Sequence, residues 1–248
     1  MTNTNQNMAG NLRSKPCIEC TEVFTYEVII ILGNEFDYRV RCDKCSALAV
    51  ERREVEKIKQ QASEKRAAWE KICPPIYRDT DPDRIDQRCL MAASQWDITG
   101  SRGLGMLGST GIGKTRAAFI ALRRAFDADK SCRAISHNAF TRTVQTAFSG
   151  DGSEREDAKA LLDALQRCKV LLIDDVGKPP PTERADAELE ELVEVRTCNM
   201  KPILWSANGS AGWLIKRMGH DRGEPLVRRL SEFCEIITVS HKNQDFDL

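Results

Sequence analysis

The 248-residue chain has no excess of charge of either sign: 37 Lys and Arg balance 37 Asp and Glu. That removes the global basic field of a protein that coats nucleic acid, although a local basic surface stays open. Long apolar runs are also missing. No stretch approaches the ~18 uninterrupted apolar residues of a membrane span, so no membrane partner is expected. Met1 to Asn11 is polar and carries no apolar signal core. It is expected to be a disordered lead into an intracellular, cytoplasmic protein. In that setting a disulfide framework is out of place, even with ten cysteines present.

Six of those cysteines (Cys73, Cys89, Cys132, Cys168, Cys198 and Cys234) stand singly and read as small buried hydrophobes or tolerated surface residues. The other four form two C-x-x-C pairs, Cys17/Cys20 and Cys42/Cys45. Between the pairs, Tyr26 to Leu32 is apolar and β-branched, Gly33-Asn34 is a turn signal, and Tyr38-Arg39-Val40 starts a return strand. Two C-x-x-C pairs mounted on a hairpin about twenty residues apart form a zinc ribbon. A redox C-x-x-C would need one pair beside a βαβ unit instead. The four thiolates complete a tetrahedral site alone, so the zinc is expected to be structural. Residues 12–50 are therefore expected to be a small four-cysteine zinc-binding domain. Ser46 to Ile72 turns charged and helical. Residues 51–75 read as a solvated linker helix, with a partner- or DNA-facing helix as the other reading; Cys73-Pro74-Pro75 stops it.

Residues 76–248 are organised around Gly108-Ser109-Thr110-Gly111-Ile112-Gly113-Lys114-Thr115, a G-x-x-x-x-G-K-[ST] phosphate-binding loop. Glycines let successive N–H groups turn into one concavity that meets phosphate oxygens. Lys114 is expected to reach the β- and γ-phosphates of ATP, and the Thr115 hydroxyl to ligate Mg²⁺. Such a loop lies between a strand, here Leu104–Leu107, and a helix, here Thr115–Ala128. A helix over Arg84–Trp96 precedes it. A strand over Cys132–Ser136 and a helix over Ala139–Phe148 follow. A further helix over Ser153–Gln166 opens on Ser153-x-x-Glu156, which resembles a capping box.

Val170-Leu171-Leu172-Ile173-Asp174-Asp175 reads as a buried parallel strand ending in two acids, where ligands of open α/β sheets bind. Asp174 would hold Mg²⁺, and Asp175 stands where an acid polarises the attacking water. Thr182 is set to cap a helix over Glu183–Thr197. Pro202 to Asn208 is a strand that, laid beside the acidic one, puts Asn208 near the γ-phosphate to orient water; Asn208-Gly209 is equally an ordinary turn pair. A helix over Trp213–Met218, a loop over Gly219–Gly223 and a strand over Glu235–Val239 complete the chain. The fold class is α/β: a P-loop NTPase domain, its parallel sheet flanked by helices, joined to the zinc module by the helical linker.

Over roughly residues 100 to 240 these features resemble the AAA+ ATPases of the DnaC/IstB group, which comprises bacterial and phage helicase loaders and transposition helper ATPases. The resemblance rests on Gly108–Thr115, Leu171–Gly177, Lys201-Pro202 with Ser206-Ala207-Asn208, and Arg229-Leu230. It implies that Asn208 is the sensor 1 residue and Arg229 the arginine finger, with Arg228 as fallback, and that residues 139–166 line single-stranded DNA. Arg142 and Lys169 are candidate DNA contacts. The chain departs from the group's Ser-x-Arg sensor 2, having Ser240-His241-Lys242, where Lys242 lacks the fork of Arg. Its second acid is Asp175 rather than the Glu of AAA+ enzymes at large, which implies slow hydrolysis suited to a switch. The four-cysteine module resembles the helicase-facing zinc domains of some phage and Gram-positive loaders. The resemblance implies an ATP-dependent loader of a replicative hexameric helicase onto single-stranded DNA, in a bacterial or phage-infected cell. That loader would bind the helicase through its N-terminal module and associate with itself through the ATP site. A transposition helper ATPase on duplex DNA and a non-hydrolysing ATP-binding adaptor remain alternatives.

Overall fold

A computed structural model describes residues 12–32 and 34–239. Two short antiparallel pairs come first. Strand β1 (Leu12–Pro16) pairs with β2 (Val23–Glu27), and β3 (Ile29–Ile31) with β4 (Asn34–Phe36). The single strand expected over Tyr26–Leu32 is therefore broken at Val28. Its second piece is paired by Asn34–Phe36, not by Tyr38–Val40, which lies outside any strand. Gly33 of the expected turn lies outside the described residues.

Helix α1 (Asp43–Ile72) begins three residues before the expected Ser46, with Asp43 in its first turn where the helix dipole favours an acid. The second C-x-x-C thus sits at a helix start, not on a hairpin arm. By chain contacts the protein divides into two compact units that meet between Ala67 and Ala68.

After α2 (Pro75–Arg78), Asp81 caps a 3-10 turn over Pro82–Arg84 and Asp86 caps α3 (Gln87–Gln95), each accepting the N–H two residues on. These two caps explain why the helix expected from Arg84 starts only at Gln87. The main sheet and its helices follow: β5 (Gly103–Gly108), α4 (Lys114–Asp127), β6 (Cys132–Ser136), α5 (His137–Ser149), α6 (Gly152–Arg167), β7 (Val170–Val176), α7 (Glu183–Cys198), β8 (Ile203–Asn208), α8 (Ala211–Met218), α9 (His220–Phe233) and β9 (Cys234–Val239).

Three local expectations change. Asp151, not Ser153, is the N-cap of α6, and it makes no side-chain capping bond, so no capping box forms. Thr182 does stand at the N-cap of α7, but only its carbonyl takes part, accepting from Asp186 N. The Gly219–Gly223 loop is instead the first turn of α9, which continues through Pro225.

Strands β5 to β9 form one parallel sheet in the order β6-β7-β8-β5-β9. Its three central strands are almost wholly buried, as their near-continuous apolar runs require. Alternation divides them between two layers. Leu171, Ile173, Ile203 and Trp205 pack with residues of α5 to α9 such as Phe140, Leu189 and Leu226. Leu172, Leu204, Leu104 and Met106 pack with Phe119 and Leu122 of α4 and with α3. Gly105 makes room for the Trp205 indole: a Cβ there would stand 2.5 Å from the ring. Among the described residues, no helix is long and apolar enough to cross a membrane.

Candidate nucleotide site and cysteine cluster

The chain between β5 and α4 has to reverse tightly, and Gly108, Gly111 and Gly113 all take positive φ (138°, 84° and 85°). At Gly113 a Cβ would lie 2.6 Å from the Arg84 carbonyl oxygen, so the segment before α3 braces the loop; Asp86 N also donates to Ile112 O at 2.9 Å. Lys114 is buried at 5% exposure. Its Nζ donates to Gly108 O (3.0 Å) and Ser109 O (2.6 Å). Burial holds its pKa below the ordinary lysine value, opposed by the charge of Asp175.

Strand β7 supplies two consecutive acids, which ordinary alternation would send to opposite faces. The register of β7 on β8 slips between Ile173 and Val176, and Asp175 takes φ of +56°. This bulge breaks the alternation at the site. Asp174 Oδ1 accepts from Thr115 Oγ1 (2.8 Å) and Ser206 Oγ (2.6 Å). Burial raises the Asp174 pKa, and those hydroxyls pull it back. The buried Ser206 hydroxyl also accepts from Asp175 N (3.0 Å), tying both acids to β8. Asp175 Oδ1 accepts from Asn208 Nδ2 (3.1 Å), and its Oδ2 pairs with Lys178 Nζ (2.6 Å).

Beside these groups lies a cleft of about 550 Å³. Thr110, Gly111, Gly113, Lys114, Thr115, Asp175 and Asn208 line it, all marked by the sequence motifs. Ile76, Tyr77, Arg84, Arg116 and Lys178 line it as well, and motif reading missed them. Pro74-Pro75 signalled only the end of a helix, yet the turn it starts brings Tyr77 onto Phe119 of α4, with ring centroids 5.1 Å apart. Arg116 Nη1 donates to Ile76 O (3.1 Å) and holds that turn down. Gly108, Ser109, Ile112 and Asp174 do not line the cleft; Ile112 enters the core beside α4, and Asp174 reaches the site through Thr115. Ser206 was marked only as part of the Ser206-Ala207-Asn208 element, without a role of its own.

Arg229 does not line this cleft. It pairs with Glu194 Oε2 of α7 at 2.8 Å, which raises its pKa. Arg228, Arg142 and Lys169 are exposed. Ser240, His241 and Lys242 lie outside the described residues. The loop after β7 is fixed from two sides. His137 Nδ1 accepts from Gly177 N (2.9 Å), and Arg217 of α8 donates to Gly177 O (3.2 Å) and Pro179 O (3.1 Å). The Trp213 ring covers Gly177 and Gly209, standing 3.2 Å and 2.9 Å from the Cβ that either would gain.

In the N-terminal unit, the Sγ atoms of Cys17, Cys20, Cys42 and Cys45 all lie within 4.8 Å of one another. Tetrahedral zinc with Zn–S bonds of about 2.3 Å needs sulfurs about 3.8 Å apart, and Cys20 and Cys42 are at 3.7 Å. Backbone N–H groups, that of Cys20 foremost, draw the Cys17 thiol down to about 6, whereas neighbouring thiols raise Cys45. Four clustered thiolates repel one another unless a cation joins them, so the donor set fits Zn²⁺.

No protein-family model matches the chain, and no curated protein does. Solved structures do. The DnaI structure aligns with a TM-score of 0.54 at 15% identity, over 67% of this chain and 94% of its own. The DnaC helicase loader aligns at 0.50 and 18%, over 61% and 85%. The replication initiator DnaA bound to AMPPCP and single-stranded DNA aligns at 0.51 and 15%, over 66% of this chain but only 51% of its own. The parallel sheet ordered β6-β7-β8-β5-β9, with a phosphate loop after β5 and paired acids on β7, has the AAA+ P-loop fold of these DnaC- and DnaI-like proteins.

Proposed function

We propose that the protein is an ATP-controlled AAA+ switch that loads a replicative hexameric helicase onto single-stranded DNA. Residues 12–50 act as a zinc module that holds the helicase, 51–75 as its linker, and 76–248 as the engine. The observation that carries this reading is the meeting of Lys114, Thr115, Asp175 and Asn208 around one cleft at the ends of three neighbouring strands, with Asp174 hydrogen-bonded to Thr115 behind them. One similar fold is described as a helicase loader and another as bound to AMPPCP and single-stranded DNA.

The loop N–H groups and Lys114 bind the triphosphate. Thr115 and Asp174 present two oxygens, 2.8 Å apart, that would hold Mg²⁺. When bound, such an ion would supply charge neutralisation to the phosphates. Asp175 accepts the proton of the attacking water, and Asn208 fixes the carboxylate that does so. Arg229, outside the cleft of its own chain, is free to meet the γ-phosphate of an adjacent subunit once Glu194 releases it. ATP thereby favours self-association, and hydrolysis releases helicase and DNA. Arg142 and Lys169 take phosphate contacts.

Steady-state ATP hydrolysis by the full chain tests the engine, with and without single-stranded DNA. Lys114→Ala and Asp175→Asn should each lower the rate at least about 100-fold, in line with losses at charge-stabilising and proton-accepting groups. Equal near-zero rates in all three proteins would sink the ATPase reading. Extended footprints on duplex DNA without single-strand preference would favour a transposition helper.

A further inference from the structure

Lys178 lines the nucleotide cleft but belongs to no motif. Its ammonium lies 2.6 Å from Asp175 Oδ2, while the other oxygen of that carboxylate already accepts from Asn208. Both oxygens of the acid that must take a proton from water are therefore engaged. The two restraints differ in strength. The Asn208 partner sits at the end of a central strand, whereas the Lys178 side chain is 56% exposed, and an exposed ion pair is weak.

The backbone that carries Lys178 cannot wander. Arg217 holds the carbonyls of Gly177 and Pro179 on either side of it, Lys178 N donates to Asp175 O (3.1 Å), and three prolines follow. A four-carbon stem on a fixed base gives the ammonium two stations, Asp175 and whatever anion enters the cleft.

We propose that Lys178 reads the terminal phosphate, exchanging Asp175 for a γ-phosphoryl oxygen and so freeing Oδ2 for water. This rests on the ATP reading of the cleft. A diphosphate ends short of that position and leaves the Lys178–Asp175 pair intact. The residue thus distinguishes ATP from ADP and couples triphosphate binding to release of the base.

Equilibrium titration of the full chain with Mg-ADP and with a β,γ-imido ATP analogue tests the idea without relying on turnover. Lys178→Met should weaken the analogue about tenfold and ADP less than twofold, and Lys178→Arg should recover most of the loss. Equal losses for both nucleotides, or none, with wild type binding both, would overturn the role of Lys178 and leave the ATP site standing. A wild type that binds neither nucleotide would overturn both.

Discussion

His137 sits at the start of α5, 2% exposed, and its Nδ1 accepts the N–H of Gly177, two residues beyond Asp175. Only a neutral ring can accept there, with its proton on Nε2. Burial drives the pKa down to about 4, from an ordinary 6.5. The unfolded chain therefore binds the proton first as pH falls, and the stability contributed by the neutral ring, full above 6.5, drains away toward pH 4. At about 1.36 kcal/mol per unit, the loss comes to roughly 3 kcal/mol. In urea unfolding, the advantage of wild type over His137→Asn at pH 7 should shrink by that amount at pH 4. At this scale the sequence was most legible where chemistry dictates residue type. Lys114, Thr115, Asp175 and Asn208, each picked out by a motif, line one cleft, and Asp174 is hydrogen-bonded to Thr115. The roles of Ser206 and His137 escaped notice because they depend on which segments are neighbours in space, and sheet order leaves no local trace.

Arg196 shows what joins the elements beneath the site. It is fully buried on α7 and, among the described residues, pairs with no carboxylate; instead it donates to the carbonyls of Leu165, Gln166, Cys168, Lys169 and Pro202. Those carbonyls close the last turn of α6 and lead into β7 and β8, where helix-end groups need partners and the dipole welcomes a cation. Arg196→Met should cost at least about 3 kcal/mol in chemical denaturation, because it strands several buried acceptors at once. The elements themselves were readable where period and length agree, as in β6, β7 and α4. The N-terminal strands were not: Tyr26 to Leu32 has one unbroken β-forming composition, so nothing in it marks the break at Val28. Helix starts also slipped where several polar residues compete to cap, as at Asp151 and Ser153.

For the whole molecule, the division near Ala67 separates a small unit with four clustered thiols from a large one with its own two-layered core. Few apolar side chains are buried in the small unit, and Ile29, Ile30, Ile31 and Leu32 stay 45% to 97% exposed. The zinc proposed for its four thiols would therefore carry its folding, as metal does in small zinc domains. Metal analysis of the purified chain should find about one zinc per monomer, absent when Cys17 and Cys42 are replaced by serine. Chelation should then abolish amide protection in residues 12–42 while protection in β5, β7 and β8 persists. Loss throughout, or nowhere, would contradict that dependence.

The packing of Trp213 has an optical consequence. Its indole is 38% exposed and rests on Gly177 and Gly209, which follow the proposed base and the asparagine that holds it. The other three tryptophans, Trp69, Trp96 and Trp205, are each no more than 4% exposed. Red-edge excitation thus selects the tryptophan that rests beside the strand ends carrying Asp175 and Asn208, and its emission should report nucleotide entering the proposed site.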